Sequence, residues 1–154
     1  MEKGSTQNKP ALKLNRTYAV SPEKVWNAWT DPQALTKWFG PGEPSSVTLA
    51  DMDVRAGGHY RIAFKTQDGQ EHKVSGIYRE VVENRKLVFS WAWQSTPERV
   101  SLVTVALRPV DGGTELSFLH EGFFDEAARD SHHGGWSGTF AKLDALLPLL
   151  PLAA

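Results

Sequence analysis

Apolar and polar positions recur with two different periods along this chain, and the changes of period divide it into elements. Leu12, Leu14 and Val20, mixed with Arg16, Thr17 and Tyr18, predict a half-buried strand. Ser21-Pro22-Glu23 then carries the signals of a helix start. It offers a capping hydroxyl, a proline where its missing N–H costs nothing, and an acid at the positive helix end. Val25, Trp26 and Trp29 follow at helical spacing, and Asp31-Pro32 repeats the start signal for a second short helix bearing Leu35 and Trp38. Gly40-Pro41-Gly42 ends it. After Pro44 the period becomes two. Strands are predicted from Val47 to Asp53, over Tyr60, Ile62 and Phe64, and from His72 to Val82. They continue over Leu87, Phe89, Trp91 and Trp93, over Val103, Val105 and Leu107, and over Thr114, Leu116, Phe118 and His120. Gly57-Gly58, Asp68-Gly69, Glu83-Asn84-Arg85, Ser95 to Glu98 and Asp111-Gly112-Gly113 mark the turns between them. From Phe124 the spacing is helical again. Ala128, His132, Trp136, Phe140, Leu143 and Leu147 fall on one stripe, with Asp125 and Glu126 at the start and Pro148 and Pro151 at the end.

This order predicts an α+β domain: a strand, two short helices, about six hairpin-linked antiparallel strands and one long C-terminal helix. Residues 12–150 form the single domain, and the polar stretch Met1 to Ala11 is a flexible tail. One face of the sheet is apolar and aromatic and needs a partner. The long helix is the available apolar stripe. A helix is ~10 Å across, too narrow to fill the concave side of a six- or seven-stranded sheet. The remaining space is either packed with extra rings or left as a cavity.

Composition sharpens that choice. The chain has 154 residues, enough for one core of ordinary size, and it carries six tryptophans, seven phenylalanines and three tyrosines. Those rings fill the core or line a space for an apolar ligand. Lys and Arg number 17 against 18 Asp and Glu, a net charge of −1, which argues against a nucleic-acid partner. The absence of cysteine excludes a thiol nucleophile, a cysteine zinc site, an iron–sulfur cluster and disulfides. No apolar run reaches membrane-spanning length and the first ten residues lack a signal-peptide core, so the expected location is cytoplasmic.

Candidate chemistry is sparse. His132 and His133 are adjacent and point about 100° apart on a helix, His59 and His72 sit near strand starts and are expected to face solvent, and no metal site is implied. His120 shares the inward face with Leu116 and Phe118, and His132 lies one turn before Trp136 on the helical stripe facing it. Each imidazole is either a satisfied interior group or a ligand anchor or general base in the cavity. Glu80, Glu98, Glu115 and Glu121 form no pair at a spacing fixed by the sequence. Gly134, Gly135 and Gly138 each cost a helix interior up to about 1 kcal/mol, which calls for a close backbone approach or a ligand passing over. Gly76 is a candidate bulge, which leaves the facing of Tyr78 and Glu80 open.

Several words in order carry a resemblance. They are Asp31-Pro32 through Trp38-Phe39-Gly40-Pro41, Gly57-Gly58-His59-Tyr60-Arg61, and Gly76-Ile77-Tyr78-Arg79-Glu80-Val81 followed by Leu87-Val88-Phe89-Ser90-Trp91. His120-Glu121-Gly122-Phe123 followed by Gly135-Trp136 completes them. From Leu12 to Leu147 the chain resembles the START-like (SRPBCC) superfamily with the birch-pollen-allergen helix-grip fold. Within it, the chain is similar to the small bacterial proteins named after the activator of the heat-shock-protein-ninety chaperone ATPase. The resemblance implies a pocket between sheet and C-terminal helix that binds a small hydrophobic molecule, lipid- or polyketide-like. A homodimer is compatible, and a chaperone partner is not expected. The candidate lining is Trp38 at one mouth, with Tyr60, Ile62, Phe64, Phe89, Trp91, Val103, Phe118, His120, His132, Trp136 and Phe140. No catalytic residue and no cofactor is assigned. The alternatives are a cyclase- or hydrolase-like enzyme using a pocket histidine, and a chaperone-ATPase accessory module.

Overall fold

In the computed structural model, which describes residues 9–40 and 47–149, every predicted element forms. The chain runs β1 (Ala11–Tyr18), α1 (Pro22–Thr30), α2 (Pro32–Leu35), β2 (Val47–Met52), β3 (His59–Lys65) and β4 (Glu71–Val82). It continues through β5 (Lys86–Trp93), β6 (Ser101–Val110), β7 (Gly113–Glu121) and α3 (Glu126–Leu146). Most of the predicted N-terminal tail, the Pro41-Gly42 stop and Pro151 lie outside the described residues.

The strands form one antiparallel sheet in the order β1-β7-β6-β5-β4-β3-β2. Consecutive hairpins account for β2 to β7, and β1 closes against β7, with Leu12 opposite His120 and Leu14 opposite Phe118. The two short helices therefore carry the chain from one sheet edge to the other. Ser21 caps α1 by accepting from the Lys24 N–H (3.4 Å), and Pro22 opens it. The turns use left-handed residues where expected: Gly57, Gly69, Gly112 and Asn84 all have positive φ. This is the seven-stranded, helix-grip-like α+β architecture that the alternation predicts.

Parity holds across the concave face. Tyr60, Ile62, Phe64, Val74, Tyr78, Leu87, Phe89, Trp91, Val103, Val105, Leu116, Phe118 and His120 are all buried. The irregularity in β4 lies one turn of the ladder beyond Gly76. Tyr78 pairs with Phe89 but Glu80 with Val88, so Arg79 is the extra residue. Tyr78 consequently points inward, and Glu80 points outward to an ion pair with Lys86 at 3.4 Å. Gly76 serves close approach instead: a Cβ there would sit 2.0 Å from the Ser90 carbonyl oxygen.

The helix α3 is held at its C-terminal half by Phe140 and Leu143 in the core and by a polar clamp. Asp144 accepts from the buried Tyr18 hydroxyl (2.8 Å) and from Arg16 Nε (2.9 Å), tying the helix to β1. Removing the carboxylate in Asp144→Ala leaves a buried donor without an acceptor, so urea denaturation at pH 7 is expected to show a loss of about 1–3 kcal/mol. Breaking the exposed Arg108–Glu115 pair (2.7 Å) with Glu115→Ala is expected to change stability by less than about 1 kcal/mol.

Candidate functional site

The end of the molecule that Phe140 and Leu143 seal has no counterpart at the other end of α3. There, between the N-terminal half of α3, the β3–β4 hairpin and the end of β5, an open cleft of about 910 Å³ separates helix from sheet. Phe39, Phe64, Trp91, Trp93 and Trp136 supply its rings. Thr66, Gln70, Glu71, His72, Lys73, Gln94, Ser95, Ser131, His132 and Thr139 supply its polar groups, and Gly40 and Gly135 lend backbone. Gly134 and Gly135 have no heavy atom within 4 Å of where a Cβ would stand. The glycines therefore do not accommodate a closely approaching sheet. Gly135 leaves the helix face bare on the cleft, and Gly134 is exposed.

The candidate lining residues divide into three groups. Phe64, Trp91, His132 and Trp136 lie on the cleft. Tyr60, Ile62 and Phe89, again with Trp91, surround a separate void of about 20 Å³ between the sheet and the short helices, roughly one water in size. Trp38, Val103, Phe118, His120 and Phe140 are packed solidly, each 0–1% exposed, and border neither space.

Trp38 departs most from expectation. The helix α2 ends at Leu35, and the following turn, closed by Trp38 N–H to Leu35 O (3.2 Å) and Phe39 N–H to Leu35 O (3.0 Å), tucks Trp38 inward. Its ring packs edge-on against Trp29 at 4.7 Å, and its Nε1–H donates to the Ala28 carbonyl at 2.9 Å. The neighbouring Phe39 takes the place on the cleft that Trp38 was expected to hold. His72 also departs from a solvent-facing role. It is half-buried and stacks on Phe64, ring centroids 5.4 Å apart, at the cleft wall.

Two imidazoles join helix to sheet. On the sheet, His120 Nδ1 accepts from Trp136 Nε1 (3.0 Å) while Nε2 meets Ser101 Oγ at 2.7 Å. On the helix, His132 Nε2 accepts from Trp93 Nε1 (2.8 Å) and Nδ1 lies 2.8 Å from the Ala128 carbonyl. An indole N–H is a donor only, so each ring nitrogen facing an indole bears no hydrogen. This assigns the tautomers. His120 carries its proton on Nε2 and donates to Ser101, whose hydroxyl turns to the Trp91 carbonyl (3.3 Å). His132 carries its proton on Nδ1 and donates to Ala128.

The Ser101–His120 contact has the spacing of a nucleophile–base pair, but the polarity is reversed. A base would have to take the serine proton on a free nitrogen, with its other N–H oriented by an acceptor. Here the imidazole donates to the serine, and the third group is a donor that occupies the other lone pair. Burial pushes the His120 imidazole down to about 2, with a smaller push from nearby His132. Burial also lowers His132, partly offset by its bond to the Ala128 carbonyl. Both rings are neutral connectors whose lone pairs are occupied.

Sequence reasoning missed Ser101, Trp93 and Phe39. Extending the alternation of β6 two residues back from Val103 would have placed Ser101 on the inward face, opposite Trp91. Trp93 continues the parity of Trp91, and Phe39 adjoins Trp38 in the sequence.

Comparison with known proteins follows the same outline. The family model described as Activator of Hsp90 ATPase homolog 1-like protein matches residues 19–148. A solved structure from Chromobacterium violaceum is similar at 28% identity and TM-score 0.77, covering 89% of this chain and 96% of that one. The AHSA1 protein from Silicibacter pomeroyi is 27% identical with TM-score 0.78, again covering 89% and 96%. A protein from Nitrosomonas europaea is 28% identical with TM-score 0.75, covering 88% and 92%. No curated protein matches the chain. Among the described residues, no helix is long and apolar enough to cross a membrane.

The neutral imidazoles have a measurable consequence. The unfolded chain binds a proton at each histidine below pH 6.5, whereas folded His120 stays neutral down to about 2. Stability from His120 is thus fully present above pH 6.5 and is lost as pH falls below it. Urea denaturation at pH 7 and pH 5 is expected to differ by about 2 kcal/mol from this residue alone, with His132 adding in the same direction.

Proposed function

The chain belongs to the Activator of Hsp90 ATPase homolog 1-like family, and from that premise we propose that it binds a small hydrophobic molecule in the cleft between the β3–β5 end of the sheet and the N-terminal half of α3. The observation that carries this reading is the space itself. The cleft measures about 910 Å³ and is walled by five aromatic side chains, with polar groups completing its lining. Small-molecule sites are concave, mostly apolar and roughly 300–1,000 Å³. A family fold whose sheet is wider than its one long helix supports the same reading. The lipid- or polyketide-like class expected from sequence fits the ring-rich wall.

Chemistry by a pocket histidine is disfavoured on the same geometry. His120 does not reach the cleft, the His132 acceptor nitrogen is already bonded to Trp93, and His72 at the cleft wall has its Nε2 3.2 Å from the Thr66 hydroxyl. Binding without covalent change is the function proposed.

Gly135 separates binding from folding. Its missing side chain faces open space, and leucine is favoured over glycine in a helix interior by up to about 1 kcal/mol. Gly135→Leu is therefore expected to keep or raise the melting temperature while occupying the cleft. Native mass spectrometry of the protein as purified, and an amide-shift NMR screen with fatty acids, flavonoids and polyketide-like rings, should show binding to the parent and its loss in the variant. Equal binding by both proteins would move the site elsewhere, and no binding by the parent to any probe would remove the reading.

A further inference from the structure

The polar atoms buried along the cleft are almost all matched within the protein. Trp93 Nε1 is taken by His132, Trp136 Nε1 by His120, and His132 uses both of its nitrogens. Two buried polar groups on the wall remain. The Trp91 indole N–H has no hydrogen-bond partner, but it is sealed from solvent and so is not offered to the cleft. Thr139 differs. It is 3% exposed and lines the cleft, yet its hydroxyl has no hydrogen bond among the described residues and is not sealed from solvent as the Trp91 N–H is. Thr30, the comparable threonine in α1, bonds back to the carbonyl four residues earlier (Trp26, 2.8 Å). Thr139 makes no such bond, so among the described residues nothing takes up its oxygen or its proton.

A hydroxyl on a cleft wall that no protein group takes up is open to water or to a bound molecule. Thr139 stands on α3 one turn after Gly135, so on the same helix face, where the backbone lies bare. The charged side chains among the described lining residues are Glu71 and Lys73, half-exposed at the rim and 3.9 Å from each other. The buried end of the cleft thus presents one uncharged hydroxyl amid rings.

Building on the proposal that the cleft binds a hydrophobic molecule, we propose that Thr139 is its polar anchor. The ligand class is then an apolar body carrying a neutral oxygen, a carbonyl or hydroxyl, that enters the cleft oxygen first. The Thr139 hydroxyl donates to that oxygen, and Trp136 and Phe64 flank the apolar body. A site built to hydrogen-bond one group discriminates against an analogue lacking it, because the buried partner is then left unmatched.

The test uses two probes of nearly equal shape, 2-acetylnaphthalene and 2-ethylnaphthalene, against the full chain and its Thr139→Val variant, with affinities from amide-shift titration. Valine keeps the shape of threonine and removes the hydroxyl. The ketone is expected to bind the parent about tenfold more tightly than the hydrocarbon, and Thr139→Val should abolish that preference while leaving the hydrocarbon's affinity unchanged. Equal affinities for the two probes in the parent, or a preference that survives in Thr139→Val, overturns the anchor and leaves the binding reading standing. Failure of both probes to bind the parent overturns the binding reading and the anchor with it. Thr139→Ser, which restores the hydroxyl, should recover the ketone preference. Its failure to do so assigns the valine effect to packing and overturns the anchor.

Discussion

The helix and the sheet are joined by two hydrogen bonds of the same unusual kind, each running from an indole N–H into an imidazole lone pair, and they run in opposite directions. Trp136 on α3 donates to His120 on β7, and Trp93 on β5 donates to His132 on α3. Neither bond survives protonation of its histidine, because an imidazolium has no lone pair to offer. The arrangement therefore requires neutral rings, and burial enforces neutrality. It also fixes the wall of the cleft. Trp93, His132 and Trp136 all line the opening, so the same contacts that hold α3 to the sheet set how far it stands away.

From that constraint follows a division along α3. Its C-terminal half is committed to stability: Phe140 packs on Phe118 at 5.3 Å, Leu143 is fully buried, and Asp144 clamps Tyr18 and Arg16. Its N-terminal half contributes glycines and small polar side chains toward the hairpin, and there the core stops. A 21-residue helix spans about 31 Å, and the core residues and the cleft divide that length between them.

The fold was legible in the sequence because its signals are local. Period-two alternation, positive-φ turn residues at Gly69, Gly112 and Asn84, and the Ser21-Pro22 cap each act within a few residues. The site was legible only in part, since cleft and core share one inward-facing set of rings. Alternation marks Phe118 and Phe64 alike as inward, but cannot say that α3 covers the first and leaves the second open. Trp38 and Phe39 show the same limit at a turn, where a one-residue difference in helix end exchanges which buried ring borders the cleft. The tautomers of His120 and His132 depend on indoles 16 and 39 residues away in the chain, and no spacing rule reaches them.

The glycines are where the two levels meet. In a helix interior they lower stability, and the sequence alone leaves two physical reasons for tolerating that cost: a close backbone approach or a ligand. The empty surroundings of Gly134 and Gly135 remove the first. A Cβ at Gly135 would meet no protein atom, so folding alone would favour alanine there. Under the proposed function, the bare helix face is what a bound molecule uses. Thr139, one turn further on the same face, adds a hydroxyl with no hydrogen bond among the described residues. A bare backbone and a free hydroxyl bordering one cleft are the features the proposed binding would draw on, while stability is supplied elsewhere in the helix.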